Sequence, residues 1–274
     1  MNHDGLDDVV VFSWRSTPTY SGATSVYLNQ GSSTSSDVTK DFLPAPIFPD
    51  TPRRFTHGGD AADVDCDGYP DLYEGNWPNP QALALSHLQM NRGGLSFMAE
   101  DFRLPREIAS GARVSESSQF CDLDRDGAPD LILGMAGTPD LVLFNDGLGN
   151  FTGRSARLPA SLAADNNTIE IACFDYDLDG WNDILLASTT SSNAVYGATR
   201  YRLWHNNRDG TFSEATNLFP SSASVGAFPK VSVADLNADG WPALWPGHFD
   251  ANGRTGFLVF INDGNPTYLL RPTP

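Results

Sequence analysis

An acidic motif at residues 63–71, DVDCDGYPD, constrains this chain more than any other feature of its sequence. Its first three aspartates, Asp63, Asp65 and Asp67, occupy alternate positions, and Gly68 follows them directly. Carboxylates this close repel one another in water, whereas a loop that curls around a cation aims alternate side chains inward, and glycine permits the sharp turn. The pattern D-x-D-x-D-G matches the first half of an EF-hand loop. It therefore predicts an all-oxygen cage for Ca²⁺, which takes six to eight oxygen ligands in flexible geometry.

The second half of the motif departs from an EF-hand. An EF-hand loop ends on a glutamate at its twelfth place and has a helix on either side. The twelfth residue here is Glu74, but the residues that follow Gly68 have the pattern of a strand. We therefore predict that the ninth residue, Asp71, closes the cage and that the backbone carbonyl of the seventh, Tyr69, adds a further oxygen ligand.

The motif occurs five times, and its nine places are numbered from the first aspartate. The fifth place falls at residues 4, 67, 126, 179 and 239, so the copies are 63, 59, 53 and 60 residues apart. The first copy lacks its first place, and the fifth has Ala243 at the ninth. Fewer charged ligands predict weaker binding, so we expect three to five calcium ions. The predicted ligands are Asn2, Asp4 and Asp8; Asp63, Asp65, Asp67, Tyr69 and Asp71; Asp122, Asp124, Asp126, Ala128 and Asp130; Asp175, Asp177, Asp179, Trp181 and Asp183; and Asp235, Asn237, Asp239 and Trp241.

The residues between the motifs repeat as well. A short apolar run follows each motif, and a second run ends at an asparagine: Asn29, Asn91, Asn145, Asn206 and Asn262. Glycine and aspartate after that asparagine, as in NDGLGNFT, indicate a tight hairpin turn. With one strand after the turn and another leading into the next motif, each unit of roughly sixty residues holds four short strands. Repeated four-stranded units are typical of a β-propeller, so we predict an all-β fold with about five four-stranded blades.

The repeat resembles the FG-GAP/VCBS repeat, the calcium-binding propeller blade of integrin α-subunits and many bacterial surface proteins. The resemblance covers nearly the whole chain and implies a single β-propeller domain over residues 1–274. It also implies a calcium ion in each acidic loop, on the lower face, and ligand contacts on the upper face. The first unit lacks its inner strand, so we expect an incomplete first blade and a longer parent with further blades or domains, seven blades being common in this family. A closed ring of five blades is the alternative.

The predicted ligands account for much of the formal charge of −17. Five bound divalent ions would add ten positive charges and leave −7, an ordinary value for a soluble domain. The chain lacks the basic stripe that nucleic-acid binding needs and the run of eighteen apolar residues that direct membrane insertion needs. The composition is that of an extracellular or cell-surface protein, and we therefore expect a secreted protein without a nucleic-acid partner.

Three cysteines, Cys66, Cys121 and Cys173, form no regular framework. Cys121 and Cys173 fall on predicted inner strands, one residue out of step with each other relative to the acidic motifs. Buried free thiols are therefore preferred here over a disulfide. Zinc is disfavoured because neither C-x-x-C nor H-E-x-x-H occurs.

The segment between the second and third strands carries the candidate ligand-binding residues. From the ninth place to the asparagine it spans 21, 20, 15, 23 and 19 residues, whereas the next segment is steadier at 34, 31, 30 and 29. Loops on a rigid scaffold commonly carry binding residues, and aromatic rings beside planar polar groups suit sugars or a protein partner. Packing of Trp77 and Phe249 under their own loops is the alternative. The candidates are Tyr20, Trp77, Tyr196, Arg200, His248, Phe249 and Arg254.

The sequence is compatible with three functions, and two of them compete most directly. The third is a structural spacer in a larger secreted chain. The first is a calcium-stabilised binding or adhesion module for carbohydrate or protein. The second is a propeller enzyme of the lyase or dehydratase type that acts on polysaccharide, with acid–base groups drawn from His57, Arg53 and Arg54 or from His248 and Arg254. The binding module is preferred and no catalytic residue is assigned, because the chain has no nucleophile or phosphate-binding motif.

Overall fold

A computed structural model describes most of the chain. The described residues are 1–12, 24–31, 34–38, 43, 55–77, 85–158, 167–192, 195–216, 230–249, 255–257, 259–264 and 269–271. Within them the regular structure consists almost entirely of antiparallel strands in five sheets. This arrangement confirms the prediction of an all-β fold built from propeller-type blades. No helix in this part of the chain is long and apolar enough to cross a membrane.

The first two sheets follow the chain order of their strands. The first sheet has three: β1 (Val9–Val11), β2 (Ser25–Asn29) and β3 (Ser35–Asp37). The second has four: β4 (Phe55–Ala62), β5 (Asp71–Trp77), β6 (His87–Asn91) and β7 (Phe97–Ala99). A 3₁₀ turn at Asp101–Arg103 and one helical turn, α1 (Arg106–Ala109), lead on to the third sheet.

The remaining three sheets repeat this plan. The third contains β8 (Ser115–Cys121), β9 (Asp130–Met135), β10 (Leu141–Phe144) and β11 (Arg154–Arg157). The fourth contains β12 (Asn167–Phe174), β13 (Asp183–Ser192), β14 (Val195–Asn206) and β15 (Phe212–Glu214). The fifth contains β16 (Val231–Ala234), β17 (Ala243–Phe249), β18 (Thr255–Phe257), β19 (Val259–Ile261) and β20 (Leu269–Arg271), and β18 pairs with β17 beside the main path.

The second strand of each four-stranded sheet begins where its acidic motif ends. In the fourth sheet β13 starts at the ninth place, Asp183, and β14 returns to Asn206 beside it. All six residues of β9 are buried, which agrees with the continuous apolar runs that mark a strand covered on both faces. The hairpin between the second and third strands therefore turns at the end of the sheet remote from the acidic motif.

The chain divides into two compact units, each with its own apolar core. Unit 1 comprises Met1–Phe120, Gly127–Leu131 and Leu143–Ser155, and unit 2 comprises Cys121–Asp126, Ile132–Val142 and Ala156–Pro274. One core cluster in unit 1 contains Val26, Leu28, Leu72 and Phe97. A cluster in unit 2 contains Ala172, Phe174, Leu185, Ala187, Tyr201, Leu203, Ala215, Leu244 and Phe260.

The expectation of free thiols at Cys121 and Cys173 is wrong. The two residues form a disulfide with a Cα–Cα distance of 6.4 Å, which lies within the range for such bonds. Cys121 ends β8 and Cys173 is the penultimate residue of β12. Their different positions relative to the acidic motifs therefore do not prevent the two thiols from pairing. Cys66 is free and exposed.

Candidate metal-binding loops

The backbone follows the same path through all five acidic motifs. At the fourth place a residue with a side chain adopts positive φ, although left-handed backbone costs such residues about 1–2 kcal/mol, and at the sixth place glycine does the same. The fourth place holds a different residue type in each of the five motifs, yet the backbone shape is the same. The loop as a whole therefore imposes this conformation, and the individual residue does not. The angles are 61° at His3, 58° at Cys66, 61° at Arg125, 57° at Leu178 and 60° at Ala238, and 83° at Gly5, 92° at Gly68, 90° at Gly127, 88° at Gly180 and 89° at Gly240.

Backbone N–H groups orient the first and fifth carboxylates of the second loop. The carboxylate of Asp63 accepts hydrogen bonds from the backbone nitrogens of Asp67 at 3.0 Å and Gly68 at 2.8 Å. Asp67 accepts one from the nitrogen of Tyr69 at 2.9 Å. The two carboxylates are thereby turned into the curl of the loop.

The ninth carboxylate is fully buried at the start of the second strand. Asp71 accepts hydrogen bonds from the backbone nitrogens of Val64 at 3.0 Å and Asn91 at 2.7 Å. The pKa of Asp71 is raised to about 7, chiefly by burial and also by the neighbouring charges of Asp65 and Asp67, although the two N–H donors act in the opposite direction. A carboxylate that is costly to ionise in the metal-free protein is suited to a cation that would offset its charge.

The donor set of the second loop fits a hard cation. Ligand oxygens of Asp63, Asp65 and Asp71 all lie within 4.8 Å of one another. The Oδ1 atom of Asp65 is buried and has no hydrogen-bond partner among the described residues. Burial, followed by the charges of Asp67 and Asp63, raises the pKa of Asp65. A buried carboxylate oxygen without a donor, inside an all-oxygen set, is the arrangement that a bound cation would satisfy.

The fourth loop repeats this geometry. The carboxylate of Asp175 accepts from the nitrogens of Asp179 at 3.0 Å and Gly180 at 2.7 Å. Ligand oxygens of Asp175, Asp177 and Asp179 lie within 4.8 Å of one another. The buried ninth carboxylate, Asp183, again has a pKa raised to about 7, chiefly by burial.

Two basic side chains distinguish the fourth loop. Nδ1 of His205 lies 3.3 Å from a carboxylate oxygen of Asp183 and 3.5 Å from one of Asp177. The guanidinium of Arg208 lies 2.5 Å from Asp179, so a cation that binds Asp179 would compete with this ion pair. Sequence reasoning missed His205 as a possible ligand. Its signal was the residue before the strand-end asparagine, which is apolar in the other four repeats.

The third loop crosses the division between the two compact units. Asp122, Asp124 and Asp126 belong to unit 2, whereas Ala128 and Asp130 belong to unit 1. In unit 1, Asp130 is fully buried and accepts a hydrogen bond from the backbone nitrogen of Asn145 at 2.9 Å, as Asp71 and Asp183 do from theirs.

Asparagine replaces aspartate at the third place of the first and fifth loops and changes the bonding there. Its amide donates to the fifth carboxylate, from Asn2 to Asp4 at 3.0 Å and from Asn237 to Asp239 at 2.7 Å. In both loops, as far as the described residues show, no three acidic, histidine or cysteine ligand atoms converge.

The ninth place also differs between the first and fifth loops. Asp8 accepts from the Met1 nitrogen and the Asn29 backbone nitrogen, both at 2.8 Å. In the fifth loop Ala243 occupies this place and is buried. Asp235 nevertheless accepts from the nitrogens of Asp239 and Gly240, as in the complete loops.

The seventh-place residues keep their predicted position after the glycine. The backbone nitrogens of Trp181 and Trp241 donate to Asp179 at 2.8 Å and to Asp239 at 2.9 Å, as Tyr69 does to Asp67. Ala128 of the third loop is buried. Ligation by the four carbonyls of Tyr69, Ala128, Trp181 and Trp241 stays a prediction.

Five of the seven candidate ligand-binding residues lie on second or third strands, away from the acidic loops. Trp77 ends β5, Tyr196 pairs with Ser191 near the tip of the β13–β14 hairpin, and Arg200 is exposed and pairs with Ser188. His248 and Phe249 end β17 and pair with β18. The structure describes the backbone alone for Trp77, Tyr196, His248 and Phe249, and Tyr20 and Arg254 lie outside the described residues.

One acid–base pair involves a residue considered for catalysis. Nδ1 of His57 on β4 lies 2.7 Å from Oε2 of Glu116 on β8. The side chains are 24% and 8% exposed. Arg53 and Arg54, the expected companions of His57, lie outside the described residues.

Comparison with known proteins agrees with the repeat. The family model of the FG-GAP-like repeat matches residues 1–74, 122–186 and 175–245. Among solved structures, the chain matches the exotype rhamnogalacturonan lyase YesX at 14% sequence identity and a TM-score of 0.46. The match covers 89% of this chain and 56% of that one, so the chain spans little more than half the length of the lyase. No curated protein matches the chain.

Proposed function

The chain belongs to the FG-GAP-like repeat family, and from this premise we propose that it is a calcium-stabilised binding module of a secreted or cell-surface protein. The observation that carries the calcium assignment is the second loop, where three carboxylates converge and Oδ1 of Asp65 is buried without a hydrogen-bond donor among the described residues. An all-oxygen, multiply charged donor set in a flexible loop favours calcium over magnesium, which requires near-ideal octahedral geometry.

Calcium would supply the positive charge that these loops lack. Asp63, Asp65, Asp67 and Asp71, with the carbonyl of Tyr69, would hold it in the second loop, and the corresponding residues would do so in the third and fourth. The chain's own contribution is to orient the carboxylates through backbone N–H groups before the ion arrives. Metal binding then becomes part of the free energy of folding.

Thermal unfolding tests the calcium assignment. A ligand at a hundredfold its dissociation constant stabilises the folded state by about 2.7 kcal/mol per site. We expect excess EDTA to lower Tm markedly, calcium to restore it and magnesium to restore it poorly. An unchanged melting curve in excess EDTA would contradict the assignment.

The disulfide supports a location outside the cytosol. Disulfides persist in oxidising compartments and are rare in cytosolic proteins, and Cys121 and Cys173 are paired. The first and fifth loops carry fewer charges and would bind calcium weakly. Weak sites are filled where calcium is abundant, as in extracellular modules that bind it at 10⁻⁴–10⁻³ M. We therefore propose a location at the cell surface or in the extracellular medium.

The partner we propose is a carbohydrate or a protein, bound at the end of the sheets remote from the acidic loops. The ten residues of β13 carry the chain roughly 30 Å from Asp183 to the tip of its hairpin. Residues at that end are free to vary with the ligand while the loops at the other end keep their metal-binding sequence. Glycan arrays and pull-down from extracellular material test this proposal, and binding that requires the acidic loops themselves would contradict it.

The second candidate is an enzyme that acts on polysaccharide, favoured by the contact between His57 and Glu116. A carboxylate that binds one nitrogen of an imidazole fixes the orientation and tautomer of the ring, as in many general bases. Incubation with acidic polysaccharides should then produce unsaturated, ultraviolet-absorbing ends, and His57→Ala should abolish them. If the unaltered protein leaves a panel of such polymers intact, this candidate fails and the binding module is unaffected.

A further inference from the structure

In the second to fifth repeats, the asparagine at or directly after the end of the third strand reaches into the acidic loop of the preceding repeat. In four repeats its side-chain Nδ2 donates to the backbone carbonyl at the second place of that loop, and each bond lies within one compact unit. The bonds run from Asn91 to Met1 at 3.1 Å, Asn145 to Val64 at 2.8 Å, Asn206 to Leu123 at 2.8 Å and Asn262 to Tyr176 at 2.7 Å. Sequence reasoning identified these asparagines only as turn signals.

The same asparagines also hold the acidic loop of their own repeat. The backbone N–H donates to the ninth carboxylate, from Asn91 to Asp71 at 2.7 Å and from Asn206 to Asp183 at 2.8 Å. A second hydrogen on Nδ2 is shared with the carbonyl at the eighth place, Pro70 or Asn182. One buried residue thus touches two successive acidic loops.

The second-place residue connects the asparagine to a predicted ligand, because it hydrogen-bonds to both. Val64 receives the amide of Asn145 on its carbonyl and donates its own N–H to Asp71 at 3.0 Å. Tyr176 receives the amide of Asn262 and donates to Asp183 at 3.1 Å. In these two loops the ninth carboxylate is therefore connected, through the second-place residue, to a side chain that belongs to the following repeat.

We propose that the strand-end asparagines are positioning residues for the metal-binding loop of the preceding repeat, so that the calcium affinity of a loop depends on its neighbour. This inference rests on the calcium-binding function proposed above. Residues that orient metal ligands without touching the metal commonly contribute 10–100-fold to affinity. Loss of a buried amide would also leave a carbonyl without its donor, which destabilises the loop geometry.

Asn262 offers the clearest test because its own repeat has Ala243 in place of the ninth aspartate. Its side chain donates to Tyr176 of the fourth loop and accepts a turn hydrogen bond from Gly264. The seventh-place Trp181 of the fourth loop provides a reporter, because a tryptophan next to bound Tb³⁺ sensitises its luminescence. Trp241→Phe removes the corresponding reporter of the fifth loop, and Trp181→Phe defines the background signal.

The control is Asn29→Ala, the same substitution at the same turn. Asn29 accepts the same turn hydrogen bond, from Gly31, but its amide donates to Asp7 of its own loop. In the Trp241→Phe background we expect Asn262→Ala to weaken Tb³⁺ binding at the fourth loop about tenfold, with calcium competing for the same signal. Asn29→Ala should leave that affinity unchanged.

Tyr69→Trp in a Trp181→Phe/Trp241→Phe background moves the reporter to the second loop and gives a second readout, the affinity of that loop. A general loss of folding would weaken both loops, whereas a positioning role of Asn262 weakens the fourth loop alone. Equal fourth-loop affinities in Asn262→Ala and Asn29→Ala would overturn this inference. That result would leave the proposed calcium-binding function unaffected. Absence of Tb³⁺ and calcium binding in the unaltered protein would overturn the proposed function and this inference together.

Discussion

Cys121 and Cys173 form a disulfide that joins the inner strands of two successive sheets. Cys121 directly precedes Asp122, and Cys173 lies two residues before Asp175. The bond therefore lies next to the start of two acidic loops. It closes a sequence separation of 52 residues, a span over which a cross-link restricts the unfolded chain substantially.

Removal of this disulfide should destabilise the protein. We expect the double variant Cys121→Ser/Cys173→Ser to lose about 2–5 kcal/mol of unfolding free energy in denaturant titration. Cys66→Ser is the matched control, and because Cys66 is exposed its effect should stay within about 0.5 kcal/mol. Thiol labelling of the denatured, unreduced protein should modify one cysteine per chain, and labelling of three would contradict the pairing.

Stability should depend on pH in opposite ways with and without calcium. In the metal-free protein the pKa of Asp71 and of Asp183 is raised to about 7, against about 3.9 in an unfolded chain. A carboxyl group whose pKa is raised in the folded state stabilises that state when it is protonated. Its contribution to the free energy of unfolding is therefore full below pH 4 and is lost as pH rises through 7. In EDTA we therefore expect Tm to fall between pH 4 and pH 7.5.

With excess calcium the trend should disappear or reverse, because metal binding requires the ionised carboxylates. The gap between the two melting curves should widen as pH rises. Asp71→Asn/Asp183→Asn should flatten the curve in EDTA, since the amides do not titrate. Two parallel curves over this range would show that the buried carboxylates are not metal ligands.

The five loops should differ in calcium affinity. The second, third and fourth loops carry four aspartates each, whereas the first and fifth carry asparagine at the third place and lack one further carboxylate. Fewer charges mean weaker binding, and the amides of Asn2 and Asn237 also donate to the fifth-place aspartates. Calorimetric titration should resolve a tight class and a weak class of sites, and five equal affinities would contradict this ranking.

Ala243→Asp should strengthen the fifth site. Ala243 is buried at the ninth place, where an added carboxylate would face the metal but would be costly to ionise without it. We therefore expect tighter calcium binding and a lower Tm in EDTA than for the unaltered protein. Ala243→Ser, which adds a hydroxyl without a charge, serves as the control and should change calcium affinity little.

Ligand binding and calcium binding should respond to different substitutions. We expect Trp77→Ala and His248→Ala to weaken binding of the carbohydrate or protein partner without altering the calcium-dependent melt, because both residues lie near the ends of β5 and β17 that are remote from the acidic loops. Arg208→Ala is a contrasting variant, since it removes an ion pair with Asp179 in the fourth loop. Normal ligand binding by both Trp77→Ala and His248→Ala would show that the binding face lies elsewhere.

Residues close together in the chain allowed the local features to be predicted from the sequence. Alternating aspartates followed by glycine predicted a curled loop, and in the second loop the carboxylate of Asp63 accepts from the backbone nitrogens of Asp67 and Gly68, four and five residues away. The apolar runs and terminal asparagines predicted the strands, and β2, β6 and β14 end at Asn29, Asn91 and Asn206. Backbone conformation over such spans depends mainly on local sterics and hydrogen bonding.

Contacts between repeats were decided by tertiary packing alone. The bonds from Asn145 to Val64 and from Asn262 to Tyr176 join residues 81 and 86 positions apart. The local sequence around either residue would also allow many other hydrogen-bond partners. The pairing of Cys121 with Cys173 likewise joins residues 52 positions apart, and no local pattern specifies it. Sequence periodicity therefore determined the repeat and its loops, whereas tertiary packing determined which preceding loop each asparagine contacts and which two cysteines pair.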